Sequence, residues 1–466
     1  MIFGSYLFPA CTTNSESDIL ISFLIQFEDS QLSSTKELIA NALLRRKMRQ
    51  EKKQIIAEHA KKDTTDSKWA QLCSFESYPG YQNLLMMRKL GEKLNIPSPF
   101  YRTIDGMPAT TIAVDGKSLI NFSSYNYLNL NGEPRVIVAA KEAIDHYGTS
   151  VSASRLVAGE RVIQQQFEEA LAKFYGVEKS LVFVSGHATN VTTIGYLFDE
   201  KDLILHDELI HDSIRQGIKL SGAVRLSFKH NDWENLDKLL RARRHEFQRV
   251  LVVIEGMYSM DGDFPDLPQF INIKKQHGTF LMVDEAHSLG VLGNTGHGIA
   301  EHFDVDPTDV DIWMGTLSKT LAGCGGYIAG TTALIDHLKA SAPGFLYSVG
   351  ISPPLTAASF AALTILLKEP ERVAALRANS QYFLSEAKKS GLDTGLSEGF
   401  NIIPILCGSS RKAIQLSNEL YEKNIYVQPI IYPGVPENQA RLRFFISSAH
   451  TPEQIAHTVK TIAQLI

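Results

Sequence analysis

Residues 283–293 read VDEAHSLGVLG, at the end of the apolar run FLMVDEA (280–286), and the fold is decided there. A continuous apolar run of strand length that stops in small and polar residues is the pattern of a buried parallel strand reaching the ligand-bearing edge of its sheet. SLVFV (180–184) and VLVVIEG (250–256) have the same form, and amphipathic helical stretches separate the runs. The alternation predicts an α/β fold with a mostly parallel central sheet, and it directs attention to the strands' carboxyl ends.

Outward from this stretch the chain divides by texture. Residues 126–335 hold the strand–helix alternation and are expected to form a large cofactor-binding domain, with 67–125 as the N-terminal segment of the catalytic unit. Residues 336–466 begin helical and then offer two late strands, NIIPILCG (401–408) and RLRFFISSA (441–449), with YPGVPENQ (432–439) as a Pro/Gly loop between helix and strand. This predicts a smaller C-terminal α+β domain. Residues 1–66 read as an appended, partly helical arm: Ser34 and Glu37 have capping-box spacing, and the helix signal runs on through RRKMRQEKK (45–53). A basic run on a helix is ordinarily a solvated face, although it also suits docking to a partner or an acidic lipid surface.

Composition removes several function classes. A formal net charge of -5 does not suit a protein dedicated to gripping phosphate backbones, so nucleic acid is not an expected partner. Cys11, Cys73, Cys324 and Cys407 lie far apart, with neither zinc-knuckle nor disulfide spacing, which fits a reducing cytoplasm and no metal site. The apolar opening MIFGSYLFPAC lacks the basic leader of a secretory signal, since Lys36 is the first basic side chain. No run approaches the roughly 20 apolar residues of a membrane span.

The chemistry gathers behind the strands. Asp284 is a carboxylate at the mouth of a buried strand, a costly place for a charge unless a cation or strong donor meets it. A protonated pyridine nitrogen would serve, and that pairing keeps pyridoxal 5'-phosphate electron-withdrawing. Lys319 follows DIWMGTL (311–317) and is flanked by Thr316 and Ser318, whose hydroxyls suit a phosphate while the amine suits an aldehyde. A lone lysine is normally a solvated charge; behind a strand, after Asp284 and before the small-residue stretch AGCGGYIAG (322–330), it reads as a Schiff-base lysine. SGHATN (185–190) follows SLVFV and opens a helix, so the amides near Ser185, Gly186 and His187 make a phosphate seat, though small residues also occur in any tight βα turn. His211, in HDELIHDSI (206–214), suits a ring stacked on a planar cofactor better than a metal, because its spacing from His206 is not that of the zinc-binding helix motif. Strand alternation puts Arg441, Arg443 and Phe445 on one face, and an arginine fork grips an α-carboxylate, unless it makes an ordinary cross-strand ion pair.

Two motifs point elsewhere and fail. DEAH (284–287) with GKS (116–118) suggests a nucleotide hydrolase, but the first glycine of a P-loop would fall on Thr111. TTIAVDGKSLINF (110–122) instead reads as two strands joined by an Asp-Gly turn. GCGGYI lacks the third glycine of a dinucleotide fingerprint.

EGMYSMDGD (255–263), VDEAHSLGVLG, GTLSK (315–319), GGYIAG and RLRFFISSAHT occur in this order and resemble the α-oxoamine synthase family of fold-type I pyridoxal-phosphate enzymes, over about residues 100–466. The resemblance implies that Lys319 forms the Schiff base with the cofactor, Asp284 pairs with the ring nitrogen, His211 stacks on the ring, Ser259 and His287 lie near the phenolic oxygen, and Arg443 holds the substrate carboxylate. It implies a decarboxylative condensation of an amino acid with an acyl thioester, giving an α-amino ketone, in a homodimer with shared active sites. Within the family, SYNYLN (124–129), YGTSVSASRLVAG (147–159), HATNVTTIG (187–195) and LYSVGISPP (346–354) look most like the synthase domains of polyketide assembly lines and like serine palmitoyltransferase. At that depth the acyl donor is bound to an acyl carrier protein, with coenzyme A as the alternative carrier; the family form implies that Ser348 contacts the phosphate from the neighbouring subunit. Tyr125 stands where several members have a carboxylate-contacting Asn, Val151 and Ala153 replace glycines, and Gln164 replaces a common His, differences that bear on which amino acid is taken. An aminotransferase with the same cofactor is the rival enzyme, and a scaffold paralogue the rival non-enzyme.

Overall fold

The computed structural model describes residues 72–466; the arm expected at 1–66 lies outside them. By proximity the chain forms two compact units, one taking in the described residues 72–98 together with 431–438, the other comprising 99–430 and 439–466. In the first unit, helix α1 spans Pro79–Lys93.

The second unit opens with strands β1 (Ile104–Asp105), β2 (Thr111–Val114) and β3 (Lys117–Asn121). β2 and β3 form the expected hairpin, and the turn residues Asp115 and Gly116 both take positive φ, 50° and 76°, the backbone that an Asp-Gly pair supplies to a two-residue hairpin. Helices α2 (Pro134–Tyr147) and α3 (Val162–Tyr175) follow, and the chain then alternates: β4 (Lys179–Phe183), α4 (Gly186–Leu197), β5 (Leu203–Asp207), α5 (Asp212–Ser221), β6 (Val224–Phe228), α6 (Trp233–Arg243), β7 (Val250–Glu255), α7 (Leu267–His277), β8 (Phe280–Asp284), α8 (Ile299–Phe303), β9 (Ile312–Thr316) and β10 (Gly326–Gly330).

These last seven strands make one sheet in the order β4-β10-β9-β8-β7-β5-β6. Six run the same way; β10 is antiparallel to both its neighbours. Side chains of alternate residues leave the sheet on opposite faces, so Leu281 and Val283 of β8 join the core on one face while Met282 joins the core on the other. With both faces covered, β5 and β7 are buried along their whole lengths, which is why their sequences are unbroken apolar runs until the last residue or two. Each fully buried Leu, Val or Ile contributes about 1.5–3 kcal/mol, and the polar residues His206, Asp207, Glu255 and Asp284 sit only at the strands' carboxyl ends.

The remaining helices are α9 (Thr332–Ser341), α10 (Pro343–Leu346), α11 (Pro353–Lys368), α12 (Glu371–Lys389), α13 (Ser410–Glu422) and α14 (Pro452–Leu465), with strands β11 (Ile402–Leu406), β12 (Ile425–Tyr426), β13 (Pro429–Ile430) and β14 (Arg441–Phe445). β11, β14 and β13 form an antiparallel sheet, while β12 extends the β1–β3 sheet by pairing parallel to β3. The two expected late strands are therefore β11 and β14. Two short strands, β12 and β13, were not expected, and 432–439 follows a strand rather than a helix.

Candidate active site

The carboxyl ends of β4, β5, β7, β8 and β9 converge on a cavity of about 200 Å³. Lys319 and Asp284 both line it, Asp284 at the end of β8 and Lys319 three residues beyond β9. Lys319 is half-buried and lines the cavity. That burial lowers its pKa to about 8, against the pull of Asp284 and Glu255, with Arg443 adding to the depression. Asp284 is buried and held on both oxygens: Oδ2 accepts from Asn190 Nδ2 at 2.9 Å and Oδ1 from the Ala286 amide at 3.0 Å.

On the β4 side the wall is the first turn of α4. Ser185 caps the helix, its Oγ accepting from the Ala188 amide, and Ser185, Gly186 and His187 line the cavity. First-turn amides have no intrahelical acceptor and so face an anion favourably. Gly186 is required by contact: a Cβ there would stand 2.8 Å from Thr316 Oγ1. Thr316 and Ser318 line the same cavity, and the Thr316 hydroxyl donates to Gly325 O (3.1 Å) and accepts from the Ser318 amide (3.3 Å), which shapes the loop leading to Lys319.

Two histidines complete the walls. His211 caps α5 through Nδ1 and keeps one side open to solvent; burial of the rest lowers its pKa, opposed by Asp284. His287 is buried, with Nδ1 2.7 Å from the Tyr127 hydroxyl, and burial followed by the charges of Lys319 and Arg443 holds its pKa well below the usual histidine value. It is therefore neutral at physiological pH.

The structure thus brings together Ser185, Gly186, His187, His211, Asp284, His287, Thr316, Ser318 and Lys319 around one cavity. Tyr125 and Arg443 flank it: Lys319 Nζ lies 5.7 Å from the centre of the Tyr125 ring, and that ring packs edge-on against Phe445 at 4.9 Å. Arg443 donates from Nη1 to Ser259 O at 2.9 Å, its Nε is buried without a partner, and no carboxylate of the described residues pairs with it. Ser259 meets Arg443 through its carbonyl and does not line the cavity, nor does half-buried Ser348, whose hydroxyl donates to Val349 O and whose amide donates to Phe345 O, each at 3.3 Å.

Sequence reasoning missed Asn190, Ser213 and Glu255, which also line the cavity. Glu255 ends β7 directly beside Asp284 in register, and its Oε1 accepts from the His211 amide at 2.5 Å. The signal was present, because Glu255 terminates an apolar run at the same sheet edge. Asn190 lies one helical turn beyond Gly186, on the same face of α4. A larger recess of about 330 Å³ between α2, α3 and α11, walled by Ala143, His146, Ile163 and Phe360, has no lysine and no strand-end acid, so the chemistry is assigned to the smaller cavity.

The family model for class I and II aminotransferases matches residues 117–462. The 8-amino-7-oxononanoate synthase of Thermosipho melanesiensis is 41% identical over 356 residues, 76% of this chain and 90% of that protein. The chain belongs to the class I and II aminotransferase family and, within it, to the α-oxoamine synthases. Among solved structures, the serine palmitoyltransferase of Sphingomonas wittichii superposes with a TM-score of 0.80 at 28% identity, over 84% of this chain and 98% of its own. Another serine palmitoyltransferase, solved with its PLP internal aldimine, gives the same TM-score at 27% identity over the same shares.

The fold is that of the fold-type I enzymes, and this α-oxoamine synthase is an acyltransferase that depends on pyridoxal phosphate. Its cavity fits that cofactor: amine and carboxylate share one small space, a helix N-terminus faces it, and Asn190 Oδ1 is buried there without a partner. The named relatives are 8-amino-7-oxononanoate synthases and serine palmitoyltransferases; the polyketide-type likeness expected from SYNYLN and LYSVGISPP is not what they support. No helix among the described residues is long and apolar enough to cross a membrane.

Proposed function

We propose that this chain condenses an L-amino acid with an acyl thioester, with loss of carbon dioxide, to give an α-amino ketone. The observation that carries the reading is the shared cavity of Lys319 and Asp284, with the lysine amine brought to a pKa of about 8. Pyridoxal phosphate, when bound, supplies an electron sink for negative charge at the amino acid's α-carbon.

The roles of the chain's own residues follow from their surroundings. An amine of pKa about 8 is neutral often enough near neutral pH to take the α-proton at Nζ and, once protonated, to return a proton to the product. Asp284, oriented by Asn190, offers a fixed negative charge to a protonated ring nitrogen, and the α4 amides with Ser185, Thr316 and Ser318 suit the phosphate. The His211 ring suits stacking on the cofactor, and neutral His287, its Nδ1 engaged by Tyr127, suits a hydrogen bond to the phenolic oxygen. Arg443, a half-buried cation lacking an acidic partner among the described residues, suits the substrate carboxylate beside Tyr125. On this reading residues 126–335 carry the cofactor and 336–466 bring the carboxylate grip.

Ser348 belongs to a segment in which Tyr347 and Val349 are exposed, and Gly350 is hydrogen-bonded to Ala153 near exposed Leu156 and Val157. An apolar patch of this kind suits a second copy of the chain, which would carry Ser348 to its partner's site.

The test mixes the purified holoenzyme with glycine, L-alanine or L-serine and an acyl thioester, offered in turn on coenzyme A and on a carrier protein. Thiol release that requires the amino acid is expected, and Lys319→Ala should lower it by about 10²- to 10⁴-fold. No thiol release, together with amino-group transfer when a 2-oxo acid replaces the thioester, would make the chain an aminotransferase instead.

A further inference from the structure

Away from the cavity, one histidine is clamped between two buried carboxylates. His230 follows β6; its Nδ1 lies 3.0 Å from Asp207 Oδ1, at the end of β5, and its Nε2 lies 2.7 Å from Asp263 Oδ2. A neutral imidazole has one N–H, so carboxylates at both nitrogens require the doubly protonated cation. Burial works against that charge, but the bonds to Asp207 and Asp263 raise the pKa to about 10. Asn231 seals the cluster, its amide donating to Asp207 Oδ2 and its Nδ2 to Asp263 Oδ2, each at 2.8 Å.

This ion triad holds the loop that follows β7. The Tyr258 amide donates to Asp263 O at 2.8 Å, the Gly262 amide to Tyr258 O at 2.9 Å, and the Tyr258 ring meets His230 edge-on at 4.5 Å. Gly262 sits at φ 74°, and a Cβ there would lie 2.4 Å from Ile402 O, so the loop is pressed onto β11. The loop's other side is gripped from β14: Arg441 Nη1 lies 2.7 Å from Asp261 Oδ2, and Arg443 Nη1 donates to Ser259 O at 2.9 Å. His230 and Arg443 therefore hold the same short loop from two sides.

We infer that His230 is a positioning residue for the substrate-carboxylate arginine: its ion triad with Asp207 and Asp263 fixes loop 258–263, and the Ser259 carbonyl of that loop aims the Arg443 fork. The inference rests on the reading of Arg443 as the carboxylate grip.

The test titrates the holoenzyme with glycine, L-alanine and L-serine and follows the cofactor's absorbance. For the amino acid that binds best, His230→Asn and Asp263→Asn should each raise the apparent Kd about three- to thirtyfold, while pyridoxal phosphate affinity and the KM for the acyl thioester stay at the unmodified values. Adding Asp263→Asn to Arg443→Ala should weaken amino-acid binding no further, because both act through one grip. An additive loss, or an equal fall in cofactor and amino-acid affinity, would overturn the inference. Should His230→Asn fail to fold, Asp263→Asn and the double variant still decide. If Arg443→Ala leaves amino-acid affinity intact, the carboxylate-grip reading fails and the inference with it; if Arg443→Ala weakens binding and neither triad variant does, only the positioning role falls.

Discussion

Glu255 and Asp284 end adjacent parallel strands in register, so two carboxyl groups stand side by side in a buried place with one lysine between their fields. Both cannot cheaply be ionised there. Burial, reinforced by Asp284, pushes Glu255 well above the usual carboxylate range, against the opposing His211 amide, so a negative charge on Glu255 is disfavoured there. Glu255→Gln, which is neutral and of the same shape, should keep the pH profile of kcat/KM close to that of the unmodified enzyme, whereas Asp284→Asn should lose about 10²-fold or more. A collapse of Glu255→Gln to the level of Asp284→Asn would show that a second negative charge is needed.

Elements deliver these residues through their ends. The turn from β4 into α4 brings Gly186 so close to Thr316 that a methyl group would press on the hydroxyl which organises the loop to Lys319. Gly186→Ala is expected to weaken pyridoxal phosphate binding to the apoenzyme about tenfold or more, as misplaced site groups do, with little change in melting temperature. Titration of apoenzyme with cofactor checks this, and an unchanged affinity would mean that Thr316 yields without consequence. The same crowding explains why sequence reading left β10 unassigned. β10 begins and ends in glycine, because a Cβ at Gly326 would lie 2.4 Å from Thr189 Oγ1 and one at Gly330 2.7 Å from Asp311 O. A strand chosen for close approach loses the branched, apolar signature by which strands are read.

At the scale of the whole molecule, the His230 triad couples three segments of chain to stability. A histidine whose pKa rises from its ordinary value of about 6.5 to about 10 on folding contributes stability that is fully present below pH 6.5 and disappears as pH climbs through 10. The groups that face it are Asp207 from β5, Asp263 and Tyr258 from the loop after β7, and its neighbour Asn231. Melting curves of the unmodified chain and His230→Asn should therefore differ most near pH 6.5 and converge by about pH 10; a constant gap across that range would rule out a charged His230.

Much of this protein was legible in its sequence, for a physical reason: a parallel strand covered on both faces must be apolar until it reaches the sheet edge, so the runs ending in Asp284 and Glu255 and the segment before Lys319 declared both the strands and the edge where the polar residues gather. The Asp-Gly hairpin was equally plain, because few other pairs accept two positive φ values. What tertiary structure alone decided is which of these ends meet. His230 and Asp263 are ordinary polar residues in sequence, and only the order β7-β5-β6 turns them, with Asp207, into one buried ion cluster. Ser259 and Ser348, similar on paper to the other site hydroxyls, stand outside the cavity, since a hydroxyl's reach is set by the path of its loop rather than by its position in a motif.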